Sequence, residues 1–406
     1  MYASLLKHFQ AFTRVAICIA TVVACGATPV ETPESLDIEG AGAEEVFEQG
    51  VTKQFTLKSS GLVSVKVTAP QGWEAGVNAA FSTLSITAPI REDESAADKG
   101  SVTLLAATKS GKSIEKKIDV NCPDLRIKEI TVRIATYNLW VTSTITDESS
   151  EWHWKYRKNY LAESIAKSGF DIFGFQEMNS TIRSELPSLV YTMRKDLGWK
   201  WFGRDNQSGS TGEAVGIAYN INRFSLSDFK AYWISETPDV VSYGWDETKY
   251  HRVVTTAILT EKESGIKFRV TATHMPLADN ARANGAKLIV ERELAREESI
   301  PSFLLGDMNA HPDDPATATF GTCWKNCYDV IPIEEHVGPQ GTYNGHNLKK
   351  DLTNPNNRID YVYYRGASVT PLNYKVDDTK YNGIWPSDHF PVSVDFKIER
   401  TSDNQK

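Results

Sequence analysis

The chain has 406 residues and a formal net charge of −8, with 41% hydrophobic and 24% charged residues. That length exceeds what one ordinary domain needs, so two domains, or one large domain with an appendage, are expected. The composition is that of a globular protein, and the acidic balance excludes a broad basic face for polyanions. A nucleic-acid or phosphate ligand must be held locally, by a metal or a few arginines.

Residues 1–24 follow a secretory plan, with Lys7 and Arg14 ahead of the apolar run "VAICIATVVA" from Val15 to Ala24. The run is too short to span a bilayer. It ends in "VVAC", with small Ala24 before Cys25, and resembles a bacterial lipoprotein signal. The resemblance implies cleavage before Cys25, a lipid on its sulfur and a membrane tether, which places the protein at the cell envelope, anchored to the outer membrane. A plain signal peptide with a chance cysteine is the alternative. Residues 25–43 are rich in Pro, Thr, Glu and Gly without an apolar period, which predicts a flexible tether.

From 44 to 124, short alternating runs recur between turn signals: "KQFTL", "LVSVKVTA", "STLSITA", "SVTLLAAT" and "SIEKKIDV". Period-two patterning at this spacing predicts a small all-β sandwich. In general pattern the stretch resembles the immunoglobulin-like spacer modules of surface lipoproteins. It holds no cluster of His, Asp or Glu, and reads as a stalk.

Between 130 and 400, strand-like runs alternate with helical patterns. One helix is predicted over Tyr156 to Lys167, with Leu161 and Ile165 beside Ala162 and Ala166. Another runs from Ala283 to about Arg296, with Ala286, Ile289, Val290 and Leu294 on one face. Mixed strands and helices over this length predict one large α/β domain.

Within that domain, apolar runs end repeatedly in groups that bind metals or move protons. "TVRIATYN" ends in Asn138, "FDIFGFQE" in Glu177, "FRVTATH" in His274, and "SFLLGDMN" in Asp307 and Asn309; "RIDYV" then supplies Asp360 and "SDHFPV" Asp388 and His389. One such ending is an ordinary turn residue. Their recurrence, in residue types suited to hard cations and acid–base work, points to a shared site. A carboxylate set without cysteine favours Mg²⁺ or Mn²⁺ over zinc.

"ATYNLW", "FGFQE", "ATHM", "LLGDMNAHPDD", "RIDYV" and "PSDHFPV" stand in the order found in the endonuclease/exonuclease/phosphatase (DNase-I-like) superfamily, which this sequence resembles over about Val132 to Ile398. The resemblance implies a four-layered α/β sandwich, two packed sheets flanked by helices, with the site at one end of the sheets. It implies a metal-dependent hydrolase of phosphate esters, acting as phosphodiesterase, phosphatase or nuclease. By the same resemblance Glu177 is the principal metal ligand, with Asn138 and Asp388 near the ion or its waters. Asp307 and Asn309 orient or deprotonate the attacking water, Asp360 pairs with His389, and His274 contacts a phosphate oxygen or the leaving group.

Weaker candidates are Glu213, read as a hydrogen-bond partner of His274 or a solvated loop residue, and Arg252, read as a phosphate contact or a surface ion pair. The aromatic-rich stretch from Tyr232 to Tyr250 is either a stacking wall or core. His251, His311 and His346 read as loop histidines, and His153 as packing at a helix start. "CWKNC" leaves two alternatives, a Cys323–Cys327 disulfide loop or two free thiols. No "WCDR"-type segment marks an inositol polyphosphate 5-phosphatase, and no basic, aromatic-interleaved stripe marks processive work on nucleic acid. The substrate is therefore a phosphate ester of open class, a nucleic-acid fragment, lipid headgroup or sugar phosphate, and no obligate protein partner is implied. The competing reading, a catalytically silent surface-binding lipoprotein, predicts gaps in the catalytic set, and every position is filled.

Overall fold

The computed structural model describes residues 33–89, 99–123, 127–297, 299–401 and 404. The signal sequence, Cys25 and the first part of the tether lie outside the described residues.

The N-terminal region folds into two four-stranded sheets. One carries Ser35–Glu39, Thr52–Ser60, Thr83–Thr87 and Glu74–Val77; the other carries Glu44–Val46, Ser113–Asn121, Lys99–Thr108 and Leu62–Thr68. Alternate residues such as Phe55, Leu57, Leu84, Ile86, Val102, Leu104, Ile118 and Val120 fill the core between them. The first strand corrects the predicted tether, because Ser35–Glu39 pairs antiparallel with Thr52–Ser60 and buries Leu36. Alternation in "SLDIE" is too short to stand out from the Pro/Glu-rich stretch that precedes it.

The larger region opens with β1 (Glu129–Asn138), α1 (Trp154–Lys167), β2 (Ile172–Met178), α2 (Ser180–Met193), β3 (Leu197–Gly203) and β4 (Ala214–Asn220). It continues with β5 (Phe224–Trp233), β6 (Val253–Glu261), β7 (Lys267–His274), α3 (Asp279–Leu294), β8 (Ser302–Asp307) and α4 (Pro315–Gly321). The last long strands are β9 (Asp360–Arg365) and β10 (Val392–Glu399). One sheet runs β3-β4-β2-β1-β10 and is extended by short strands at Tyr374–Val376 and His336–Val337. The second runs β5-β6-β7-β8-β9 and ends on Lys325–Asn326.

The strand alternation explains the layering. Inward residues of both sheets, among them Val132, Ile134, Ile172, Val270, Ala272, Phe303, Leu305 and Val362, form one core. The opposite face of the first sheet offers Ala135, Tyr137, Phe173 and Phe175 to Leu161, Ala162 and Ile165 of α1 and Ile182, Leu186 and Val190 of α2. The outer face of the second sheet offers Leu304, Tyr361 and Tyr363 to Ala286, Ile289 and Val290 of α3 and Phe320 of α4. The result is the expected helix–sheet–sheet–helix sandwich. At Gly174 the sheets approach so closely that a Cβ there meets the Cβ atoms of Leu305 at 3.0 Å and Ala272 at 3.1 Å. Leu294 departs from the predicted apolar face: at the end of α3 it is 55% exposed, and Glu293 turns inward to pair with Arg296.

Two crossovers position the site. β1 and β2 are parallel neighbours joined through α1, and β7 and β8 are parallel neighbours joined through α3. Parallel pairs bring their C-terminal ends to the same edge. Because β9 runs antiparallel to β8 and β10 antiparallel to β1, the N-terminal ends of β9 and β10 arrive at that edge too.

Candidate active site

Strand register does much of the assembly. His274 lies opposite Asp307 across β7 and β8, and Asp307 lies opposite Asp360 across β8 and β9. Asn138 and Gln176 are opposite across β1 and β2, so the next residue, Glu177, projects just past the paired ends. A register shift between Phe175 and Met178 and a left-handed φ of 60° at Glu177 turn that side chain out of simple alternation. Asn309 (φ 46°) and Trp140 (φ 57°) also hold left-handed backbone where the chain bends around this edge.

Asn138 is the hub. Fully buried, its Nδ2 donates to Glu177 Oε1 at 3.1 Å and to Asp307 Oδ2 at 3.0 Å, and its Oδ1 accepts from the Trp140 amide at 3.0 Å. Glu177 Oε2 accepts from the Val141 amide at 2.7 Å. Asp307 Oδ1 accepts from the Asn309 amide at 2.9 Å, and its Oδ2 lies 3.4 Å from His274 Nε2 and 3.7 Å from His389 Nε2. His389 Nδ1 donates to Asp360 Oδ2 at 2.8 Å, and the same oxygen accepts from Thr342 Oγ1 at 2.6 Å. Asn309 is tied back by Nδ2 donating to the Met275 carbonyl at 2.9 Å. Asp388 lies beside the group, with Oδ1 4.0 Å from His389 Nε2.

The protonation pattern follows from this crowding. Burial pushes Asp307 up to about 6 and the Asp360 charge adds to it, while His389 and two hydrogen bonds pull the other way. Burial likewise raises Asp388 to about 7; His389 opposes the rise and Glu177 adds to it. Burial disfavours the imidazolium of His389, but the carboxylates of Asp360 and Asp307 overcome it and hold its pKa well above 6.5. His274 goes the other way: burial, then Arg252 and Arg204, hold it well below 6.5 and keep it neutral.

Arg252 is 5% exposed and packs over the Tyr250 ring at 4.9 Å; it is no surface ion pair. Glu213 corrects its expected partner, since its Oε2 pairs with Arg204 Nη1 at 2.7 Å and makes no hydrogen bond to His274. Glu177, Arg204, Glu213, His251, Arg252 and His274 line one narrow crevice. Tyr232 and Trp233 are core, whereas Tyr243 is 48% exposed and stacks on His251 at 4.1 Å. His153 caps α1 by accepting from the Lys155 amide, and His346 stacks on Trp140 at 5.0 Å. His311 is exposed on its loop. Cys323 and Cys327 are free thiols.

Four contributors escape a reading of motifs. Arg204 follows "FG" at the end of β3, Thr342 sits in an unremarkable "GTYN", and Ser387 Oγ donates to the Asn138 carbonyl at 2.7 Å. Arg157, 1% exposed on α1, donates to the carbonyls of Leu139 at 2.9 Å, Pro386 at 3.2 Å and Trp140. Their only local signal is a polar residue in an apolar setting.

An oxygen-rich donor set without thiolate suits a hard divalent cation. One observation bears on the fit: Asp388 Oδ1 is buried and accepts no hydrogen bond, although it stands among Glu177, Asp307 and His389. A buried carboxylate oxygen without a donor is costly unless a cation faces it. The residues present therefore fit such a group.

The profile of the Endonuclease/Exonuclease/phosphatase family matches residues 135–389. An endonuclease/exonuclease/phosphatase family protein from Bacteroides thetaiotaomicron superposes with a TM-score of 0.60 at 25% identity, covering 67% of this chain and 100% of its own. A mannosyl-6-phosphatase from Bacteroides thetaiotaomicron VPI-5482 gives 0.58 at 26% identity, covering 65% and 99%. An uncharacterized protein of Acanthamoeba polyphaga mimivirus is 23% identical over 247 residues, 52% of this chain, and the match spans 36% of that relative's length.

Proposed function

The chain belongs to the endonuclease/exonuclease/phosphatase family, and from that premise we propose that it is a divalent-metal-dependent hydrolase of phosphate esters. The observation that carries the reading is the contact chain Glu177–Asn138–Asp307–His389–Asp360, built from groups that five separate strand ends deliver to one edge. Glu177 and Asp388, with Asn138 alongside, would hold Mg²⁺ or Mn²⁺. A cation bound there offsets the charge of the phosphate and of the departing oxygen.

Protonation divides the remaining roles. His389 is an imidazolium at neutral pH and has no lone pair for a proton, so it donates a hydrogen bond to a phosphoryl oxygen and lowers its charge in the transition state. Asp307, raised to about 6, is ionised yet basic enough near neutrality to take the proton of the attacking water. Asn309 orients that water, Asp360 holds the His389 ring in one orientation, and neutral His274 donates to a phosphate oxygen or the leaving group. Glu213 acts through Arg204, and Arg252 contacts the phosphate. A structural neighbour named as a mannosyl-6-phosphatase puts sugar phosphates among the first substrates to test.

The test is hydrolysis of aryl phosphate esters with Mg²⁺ or Mn²⁺. Glu177→Ala and His389→Ala are expected to lose activity by about 10²–10³-fold or more, and chelator to abolish it. Wild-type rates in those folded variants sink the assignment.

We place the protein at the cell envelope, lipid-anchored through Cys25, on the strength of the charged start, apolar run and "VVAC". Among the described residues no helix is long and apolar enough to cross a membrane. Cys25→Ala is expected to move the protein from the membrane to the soluble fraction; unchanged fractionation removes the anchor. The N-terminal β-rich region then serves as the stalk.

A further inference from the structure

The two oxygens of Asp360 are served unequally. Oδ2 accepts from His389 Nδ1 at 2.8 Å and from Thr342 Oγ1 at 2.6 Å, whereas Oδ1, in a side chain that is 0% exposed, accepts from no described residue. A carboxylate oxygen removed from water and left without a donor is costly. Two donors in the same part of the core are also buried and unpartnered, Arg358 Nε and the Tyr374 hydroxyl. Arg358 has extended backbone two residues before Asp360; both are buried, and Ile359 between them is half-buried. That alternation puts the Arg358 and Asp360 side chains on one side of the chain, with their roots about 6.6 Å apart. The Arg358 guanidinium lies 3.5 Å over the Tyr328 ring, which meets Tyr374 edge to face with ring centroids at 5.3 Å. Burial lifts the Tyr374 pKa well above 10, with Arg358 opposing the rise and Asp360 adding to it, so the hydroxyl keeps its proton within the field of both groups.

None of these three atoms hydrogen-bonds directly to another. We propose that a buried water joins Asp360 Oδ1 to Arg358 Nε and the Tyr374 hydroxyl, which makes Arg358 a positioning residue for the Asp360–His389 pair. The inference rests on the phosphate-ester reading above, in which Asp360 orients His389. The water accepts from both donors and donates to Oδ1, three bonds being the usual complement of an internal water. His389 and Thr342 pin only one carboxylate oxygen, and a carboxylate pinned at one oxygen still swings about it. A donor on the second oxygen fixes the carboxylate plane, and with it the direction in which the His389 ring presents Nε2, 3.7 Å from Asp307 Oδ2. Small errors of aim at a reacting centre cost rate out of proportion to their size. Arg358 thus reaches the chemistry through Asp360 and His389, from the side of the pair that faces the core.

The test is a double-mutant cycle in the full chain with Mg²⁺, read by hydrolysis of an aryl phosphate ester and by proton NMR. Arg358→Met keeps an aliphatic stem over Tyr328 and removes the donor. It is expected to lower kcat by about 10-fold with KM unchanged, and to shift the downfield resonance of the His389 Nδ1 proton, assigned by its loss in His389→Gln. In an Asp360→Asn background the same substitution is expected to change kcat by about twofold or less, because the group it acts through is already altered. Tyr374→Phe, which removes one hydroxyl, should move both readouts in the same direction and by less, and thermal melts establish the folding of each variant. A crystal structure is expected to place a water within hydrogen-bond distance of all three atoms. An unmoved resonance in both folded variants, or a metal ion bound at Asp360 Oδ1, overturns the proposal. If activity needs Glu177 and His389 but Arg358→Met costs the same in both backgrounds, this proposal falls and the hydrolase reading stands. If the resonance moves and the water is found while no ester is cleaved, the hydrolase reading falls and the positioning of His389 stands.

Discussion

Asp360 Oδ2 accepts a hydrogen bond from His389 Nδ1 at 2.8 Å, and the two side chains are 0% and 5% exposed. The pair sets the direction of pH dependence. His389 has a folded pKa well above its ordinary 6.5, so its stabilising contribution is complete below 6.5 and is lost as pH rises through the folded value. Catalysis by the imidazolium declines over the same rise. Asp360→Asn removes the charge that sustains it, and the alkaline limb of kcat/KM is expected to move to lower pH. An unmoved limb in the folded variant means that His389 does not act as the imidazolium.

Asp388 has the opposite balance without metal. Its pKa rises from 3.8 to about 7, so the stability contributed by its neutral form is full below 3.8 and lost as pH climbs through 7. In chelator above pH 7, Asp388→Asn is expected to melt at a higher temperature than wild type, and the advantage to vanish toward acid pH. Added Mg²⁺ should stabilise the wild type and not the variant. Equal melting at every pH argues that Asp388 is solvated and no ligand.

Gly306 precedes Asp307 in β8, and a Cβ there meets the Thr273 carbonyl oxygen at 2.3 Å. Gly306→Ala must part β7 from β8 at the point where His274 and Asp307 meet. The expected cost is about 1–3 kcal/mol of stability, with a larger proportional loss of activity. Denaturant unfolding and kinetics on one preparation check both, and retention of full activity contradicts the role given to this register.

Arg157 joins α1 to the carbonyls of Leu139, Trp140 and Pro386, bridging the end of β1 and the loop that carries Asp388. Burial lowers its pKa to about 10, so it remains charged at neutral pH. Arg157→Leu leaves three carbonyls without this donor and is expected to cost about 3 kcal/mol and to weaken Mg²⁺ binding. Urea unfolding measures the first and calorimetry the second; unaltered metal affinity shows that Asp388 is positioned without it.

The six strand-end motifs were legible because each is local: an apolar run reports a buried strand, and a polar residue closing it reports where that strand leaves the core. The same locality made Leu36 and Ile38 invisible as a strand inside a Pro/Glu-rich stretch, and put Leu294 on an apolar face it does not join. Glu213 shows the limit more sharply, since a glutamate ahead of a strand carries no mark of whether Arg204 or His274 will be its partner.

By itself, then, the sequence determined which chemical groups this protein has to work with and that strands would carry them to an edge. Residue type and period are properties of a short segment and survive without the fold. Only the tertiary structure decided their states. Asn138 meets Asp307 across 169 positions of chain, and His389 keeps its proton because carboxylates on other strands surround it. Charge acts through space, and the distances through which it acts are set by the packing of the two sheets.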